Sequence, residues 1–360
     1  MSCMPIKNKT FLSNNVLGKY KTLTLNSHAS EGGFARANKN DIIVIYRKDS
    51  SLSHISNHSK IVSKISRDKG ETWSKESDVY NSPYDDRNLV VGNLSNGNII
   101  IVFRKYDAVN KMSIGSGYII SSDNGKTWSD FVKLKNTEKI SHQPFGNIFT
   151  HIGKNSFLIH YSKGITKMYS SIDDFDSYPD EFTIINDSTK ILREPFLVKI
   201  NKKKSLILFR NENGRTGQGS FYQYNSNGES FYYKGETNIF DDYGQSVRSP
   251  ASLRYNPNTN LLEVCVASRV WNYSEKNFSN ELRIYSQDAD SVFYNSKAYQ
   301  LKYTTSRPMP SNHWFYGYPK FITISDNEVL YLITDSKINN TNISPRTHIN
   351  NEQANLYTTF

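Results

Sequence analysis

The pattern Ser-x-Asp-x-Gly-x-Thr-Trp occurs twice, at Ser66–Trp73 and at Ser121–Trp128. Each copy reads as a tight hairpin turn. The glycine supplies a backbone with positive φ, the aspartate accepts turn N–H bonds, and the tryptophan packs back under the turn. Five fixed positions recurring 55 residues apart are not a chance event. They indicate an array of similar supersecondary units.

Degenerate copies continue the series. Ser171–Tyr178 and Ser286–Phe293 keep the serine, the aspartate and a terminal aromatic, and Tyr224–Phe231 keeps the glycine and the aromatic. A second element runs in the same phase: a short apolar strand, a polar turn and a longer apolar strand. Its copies are Phe34–Arg47, Leu89–Arg104, Phe145–Tyr161, Phe196–Arg210, Ala251–Arg269 and Tyr318–Thr334. Val, Ile, Leu, Phe and Tyr between Asn, Gly and Asp turns are strand and hairpin signals, and no stretch sustains a capped helical period. Six such units predict an all-β chain, a six-bladed β-propeller of four-stranded antiparallel blades. The sixth blade has no turn motif, and Tyr20–Leu25 is expected to supply its missing strand and close the ring. This gives a lead at 1–18, one propeller domain at 19–335 and a polar tail at 336–360.

Composition narrows the partner. The chain of 360 residues carries a formal net charge of +10, which suits an acidic partner such as nucleic acid, teichoic acid or an acidic glycan. No nucleic-acid motif is present. The run Lys202–Lys204 sits at a hairpin tip and reads as a solvated turn. Two cysteines, Cys3 and Cys265, define neither a disulfide framework nor a metal site, and nothing calls for a cofactor. Cys265, inside an apolar strand, is expected as a buried free thiol. No signal segment or apolar span is evident, so no membrane insertion is expected and the chain reads as soluble, cytoplasmic or carried in a virion.

The start of each innermost strand and the loop after the second strand face one mouth of a propeller. Those positions hold Arg36, Arg47, His54 and His58 in blade one, and Asp85, Asp86, Arg87 and Arg104 in blade two. They hold His142 and Gln143 in blade three, Arg193, Glu194 and Arg210 in blade four, Arg248 and Arg269 in blade five, and Tyr316 and Tyr318 in blade six. Recurrent arginine suggests an anionic ligand, because guanidinium forks bind carboxylates bidentately. Some of these arginines are equally expected to pair with Asp86 or Glu194.

With its repeated turn motif, the Asp-box, the chain resembles the sialidase (neuraminidase) superfamily over residues 20–335. The resemblance implies a glycosidase with three arginines on the substrate carboxylate, a Tyr nucleophile, a Glu that tunes it and an Asp acid/base. Arg193-Glu194-Pro195 followed by Arg210 resembles the family's Glu and second arginine, and Tyr318 resembles the nucleophile. A phenol is a poor nucleophile until a carboxylate takes its proton, which gives Glu194 its implied role. Blade one departs from the pattern. It opens Glu31-Gly32-Gly33-Phe34-Ala35-Arg36, so the first arginine is either a displaced Arg36 or Arg47. His54 stands where the acid/base Asp is expected, and Asp86, beside Arg87, is a second acid candidate. The third arginine is one of Arg248, Arg269 and Arg283. Phage endosialidases, which carry a His in the first loop, resemble this altered pattern in part. Two readings follow: a hydrolase of an acidic glycan, or a propeller that holds such a glycan without cleaving it. A different glycan-cleaving activity, such as a lyase, stays open because fold does not fix function.

Overall fold

The computed structural model describes residues 21–24, 27–139, 141–151, 153–162, 164–189, 191–201, 204–211, 219–225, 230–238, 251–267, 270–272, 277–279, 281–290, 299–300, 302–308, 319–325, 328–338 and 352–359, some later strands by backbone alone. They form a β-propeller of antiparallel sheets. Blade one is His28–Arg36, Ile42–Asp49, Ser59–Ser66 and Ser77–Tyr80; blade two is Asp85–Asn93, Ile99–Asp107, Met112–Ser121 and Val132–Lys133. Blade three is Gln143–His151, Lys154–Ser162, Ile165–Ser171 and Asp180–Asn186. Blade four is Leu192–Lys199, Lys204–Asn211, Gly219–Asn225 and Ser230–Asn238, with Tyr299–Gln300 added in parallel at its edge. Blade five is Ala251–Asn256, Leu261–Ala267, Glu281–Asp288 and Lys302–Pro308.

The sixth unit corrects the expected domain ends. Lys320–Ser325 and Glu328–Ile338 are followed by Glu352–Thr359, which pairs with the second strand from Tyr331 to Ile338. Residues 352–359 are thus a blade strand and not a polar tail. Lys21–Thr24 then pairs with that strand as the fourth member. Residues 21–24 and 352–359 thus meet in one blade, and His28 pairs with Ala354 to join blades six and one into an eight-stranded sheet.

The alternation of each inner strand explains why the blades form a ring. In blade one, Ile43 and Ile45 pack on Leu89, Val91, Ile101 and Phe103 of blade two, whereas Ile42, Val44 and Tyr46 pack on Leu330 and Leu332 of blade six. Successive residues point to opposite sheet faces, so one apolar strand serves two neighbours. Four further clusters join blades two to three, three to four, four to five and five to six. Cys265 is buried in the last of these, outside any disulfide among the described residues.

The turn motif ties the outer hairpins. Asp68 accepts from the Thr72 N–H and hydroxyl at 2.8 and 2.5 Å, while Ser66 Oγ accepts from Gly70 N–H at 2.7 Å. Asp123, Thr127, Ser121 and Gly125 repeat the arrangement at 2.7 to 2.8 Å. These hydrogen bonds, the threonine side chain's first, hold both carboxyls well below the usual range, Asp68 at about 2. The third copy substitutes Phe175 for the glycine at φ 68° and buries the ring against Tyr118 and Phe157. The fourth copy's turn lies outside the described residues.

Candidate functional site

Three arginines occupy one register. Arg47 pairs with Ser30, Arg104 with Arg87 and Arg210 with Arg193, each on the second strand of its blade. In every case the next residue of the inner strand turns left-handed: Glu31 at φ 51°, Asn88 at 58° and Glu194 at 53°. The ladder slips by one residue there, so each is a β-bulge, a device that re-aims side chains at barrel rims and active sites. Blade three has Gly146 at φ 91°, where a Cβ would stand 2.4 Å from Pro195 O. Repetition of the bulge gathers Glu31, Asn88, Gly146 and Glu194 around the channel mouth.

Blades one and two fill their share of the mouth with a buried charge network. Arg47 Nε donates to Asp85 Oδ1 at 2.7 Å, and Arg87 Nη1 to Asp85 Oδ2 at 3.3 Å. Ser59 Oγ and the Ser56 N–H complete the contacts of Asp85, at 2.7 and 3.2 Å. Burial works to raise the Asp85 carboxyl, but Arg47 and Arg87 outweigh it and hold it below its ordinary value. Arg87 Nη2 also reaches Glu31 Oε1 at 3.4 Å, and the Asn88 N–H donates to the other Glu31 oxygen. Arg104 is buried beside this group with its guanidinium over the Tyr106 ring, and burial, then Arg87, pulls it down to about 10.

Arginine cannot accept a hydrogen bond, which fixes two histidine tautomers. His54 Nε2 lies 3.1 Å from Arg87 Nη2 and therefore accepts, leaving the proton on Nδ1. His28 Nδ1 lies 3.5 Å from Arg47 Nη1 and likewise accepts. Burial, with Arg47 and Arg87, pushes His28 down to about 3. His54 is held in place by the loop after the second strand, which Asp49 and Asp85 tie down through Ser51 and Ser56.

Across the mouth, Glu194 is buried and Arg210 Nη1 lies 2.8 Å from its Oε2. Glu194 lines a cleft of about 240 Å³ with Arg193, Gln143, Phe145, His160 and Ser141. Lys320 reaches this region from blade six, donating to Gly146 O at 2.5 Å. Burial pulls its ammonium down to about 8 against the opposing charge of Glu194.

The structure therefore brings together Arg47, Arg87 and His54 on one side and Glu194 with Arg210 on the other. It separates Arg36 from them. Arg36 pairs with Ile42 at the far end of a nine-residue strand and donates to Thr323 O at 2.7 Å, roughly 20 Å along the strand from Ser30. Asp86 points to the face opposite Asp85 and accepts from the Ser82 N–H and hydroxyl at 3.0 and 2.8 Å, with burial raising it to about 6. Tyr318, Arg248 and Arg269 lie outside the described residues, as does the side chain of Arg283, whose backbone is in the third strand of blade five. The sequence reading missed Glu31, His28 and Lys320 as mouth residues. A carboxylate directly before Gly32-Gly33 in the inner strand was the available signal for Glu31.

No family model matches the chain, and no curated protein matches it by sequence. Solved structures do. A protein of unknown function from Dyadobacter fermentans superposes at a TM-score of 0.68 with 13% identity, over 95% of this chain and 98% of that one. The NanB sialidase from Streptococcus pneumoniae gives 0.65 and 9%, over 99% of this chain and 71% of that one. Trypanosoma rangeli sialidase gives 0.62 and 13%, over 92% of this chain and 55% of that one, so the chain spans little more than half its length. With the ring of repeated hairpins and bulges described above, these superpositions establish that the chain has the β-propeller fold of the sialidases.

Proposed function

We propose that the chain is a glycoside hydrolase acting on an acidic glycan of the sialic-acid type. The observation that carries this reading is the buried Glu194, set on a left-handed bulge, paired with Arg210 and open to a cleft. In this reading the Tyr318 oxygen attacks the anomeric carbon as its proton passes to Glu194. The departing glycosidic oxygen takes a proton from an acid, and water later releases the sugar from Tyr318. His54 and Asp86 are the proposed acids. His54 has the position, beside Arg87 at the mouth, whereas Asp86 has the titration range, about 6. The arginines proposed for the carboxylate are Arg210, with Arg47 or Arg87 and one of Arg248, Arg269 and Arg283.

A second reading is favoured by one observation. Arg47, Arg87 and Arg210 each already hold a carboxylate of the protein itself. A mouth neutralised in this way suits a propeller that holds a glycan, as a tail or adhesin module would, without cleaving it. Assays on a fluorogenic sialoside and on polysialic acid separate the two. Turnover lost in both Glu194→Gln and Tyr318→Phe supports the hydrolase, and product length tells exo from endo action. No turnover, with glycan-array binding that depends on Arg210, replaces it with the binding module.

A further inference from the structure

Lys320 has no place in the reading of the site from sequence, yet it joins three blades at the channel. It leaves the inner strand of blade six, donates to the Gly146 carbonyl of blade three at 2.5 Å, and lies over the Phe196 ring of blade four at 5.2 Å. Gly146 is the blade-three member of the left-handed series, and Phe196 is two residues beyond Glu194. Lys320 also shares a small cavity with Glu31, Asn88 and Phe145. That space is about 10 Å³, room for roughly one water and not for a sugar carboxylate. Its ammonium therefore acts on the protein's own groups.

We propose that Lys320 is a positioning residue for Glu194, a strap from blade six that fixes the bulges of blades three and four and sets a second positive charge, besides that of Arg210, against this carboxylate. The charged groups around it are Glu194 with Arg210 on blade four and Glu31 with Arg87 on the blade one and two side. Blade three contributes a carbonyl and blade two an amide. The ammonium is held down by burial and drawn up by the opposing charge of Glu194. The attraction between the two charges is mutual, so removing the Glu194 charge should lower the proton affinity of Lys320. The inference rests on Glu194 being the working carboxylate of the site, but its test does not need turnover.

The test is reductive ¹³C-methylation of the full chain, with the Lys320 dimethylamine signal assigned by its loss in Lys320→Arg and followed by NMR against pH. The wild-type signal is expected to titrate near 8 and to fall by about one pH unit in Glu194→Gln, the scale of one nearby opposite charge. An unchanged midpoint in a folded Glu194→Gln overturns the proposal even if the chain is an active hydrolase. If Glu194→Gln does not fold, the acid limb of activity or ligand binding provides the second measurement. Lys320→Met should move it upward by a similar amount while Lys320→Arg restores it, and equal limbs in the two variants overturn the proposal. A chain without turnover but with the coupled titration retains the strap and loses only the hydrolase reading.

Discussion

The Arg47 guanidinium and the Asp85 carboxylate meet at 2.7 Å with neither side chain exposed to solvent. Burying such a pair is costly, and it is tolerated here because Asp85 takes four hydrogen bonds from two arginines, Ser59 and the Ser56 N–H. Removing one partner leaves the others uncompensated. Asp85→Ala is therefore expected to lower unfolding stability by about 3–5 kcal/mol in denaturant titrations. A loss below about 1 kcal/mol would show that the network relaxes or floods with water.

Asp86, one residue on, should behave in the opposite sense. Its folded value of about 6 lies above the ordinary 3.8, so the unfolded chain gives up this proton first. Stability from this group falls as pH rises from about 4 to 6 and stays flat above. Asp86→Asn removes the burden while retaining partners for Ser82, and should stabilise by on the order of 1–2 kcal/mol at pH 7.5 and by almost nothing at pH 4. Thermal melts at the two pH values decide it. A variant equally stabilised at both would place the effect in packing.

His28 makes the fold acid-sensitive. With a folded value of about 3 against 6.5, the unfolded state binds the extra proton between those values, and stability is lost as pH falls through that window. Asp85, depressed by its arginines, acts in the same direction at lower pH. His28→Gln, which can still accept from Arg47, should flatten the stability curve between pH 6.5 and 4. A slope identical to wild type would assign the acid loss to other groups.

Gly146 connects fold to site. Its φ of 91° and the 2.4 Å approach of a Cβ to Pro195 O both exclude a side chain, and Pro195 follows Glu194. Gly146→Ala should cost more than about 2 kcal/mol, combining left-handed backbone strain with displacement of a neighbouring strand. Activity or glycan binding should fall further than stability alone explains when measured well below the melting temperature. A folded Gly146→Ala chain with wild-type binding would uncouple Glu194 from its neighbour's backbone.

The turn motif and the paired apolar runs carried the architecture because they are local. Ser66, Asp68, Gly70 and Thr72 satisfy one another within seven residues, and alternation of Ile42, Ile43, Val44 and Ile45 commits one strand to two neighbouring blades. The same local logic marked Glu194 and Arg210, which face each other across one hairpin. The sequence by itself thus determined the repeat, its phase and the carboxylate–arginine hairpin of blade four. It misplaced the last strand because 352–359 is polar and finds its partners near Tyr331 and, through Lys21–Thr24, at the other end of the chain.

Tertiary structure decided the chemistry of the mouth, because there each contact joins different blades. The 57 residues between Glu31 and Asn88, the 33 between His54 and Arg87 and the 174 between Lys320 and Gly146 leave no local trace. Register at a bulge turned Glu31 inward, strand polarity sent Arg36 to the far end, and pleat parity set Asp85 and Asp86 on opposite faces. A side chain's residue type proposes a role, but its neighbours across the ring fix its proton and its charge.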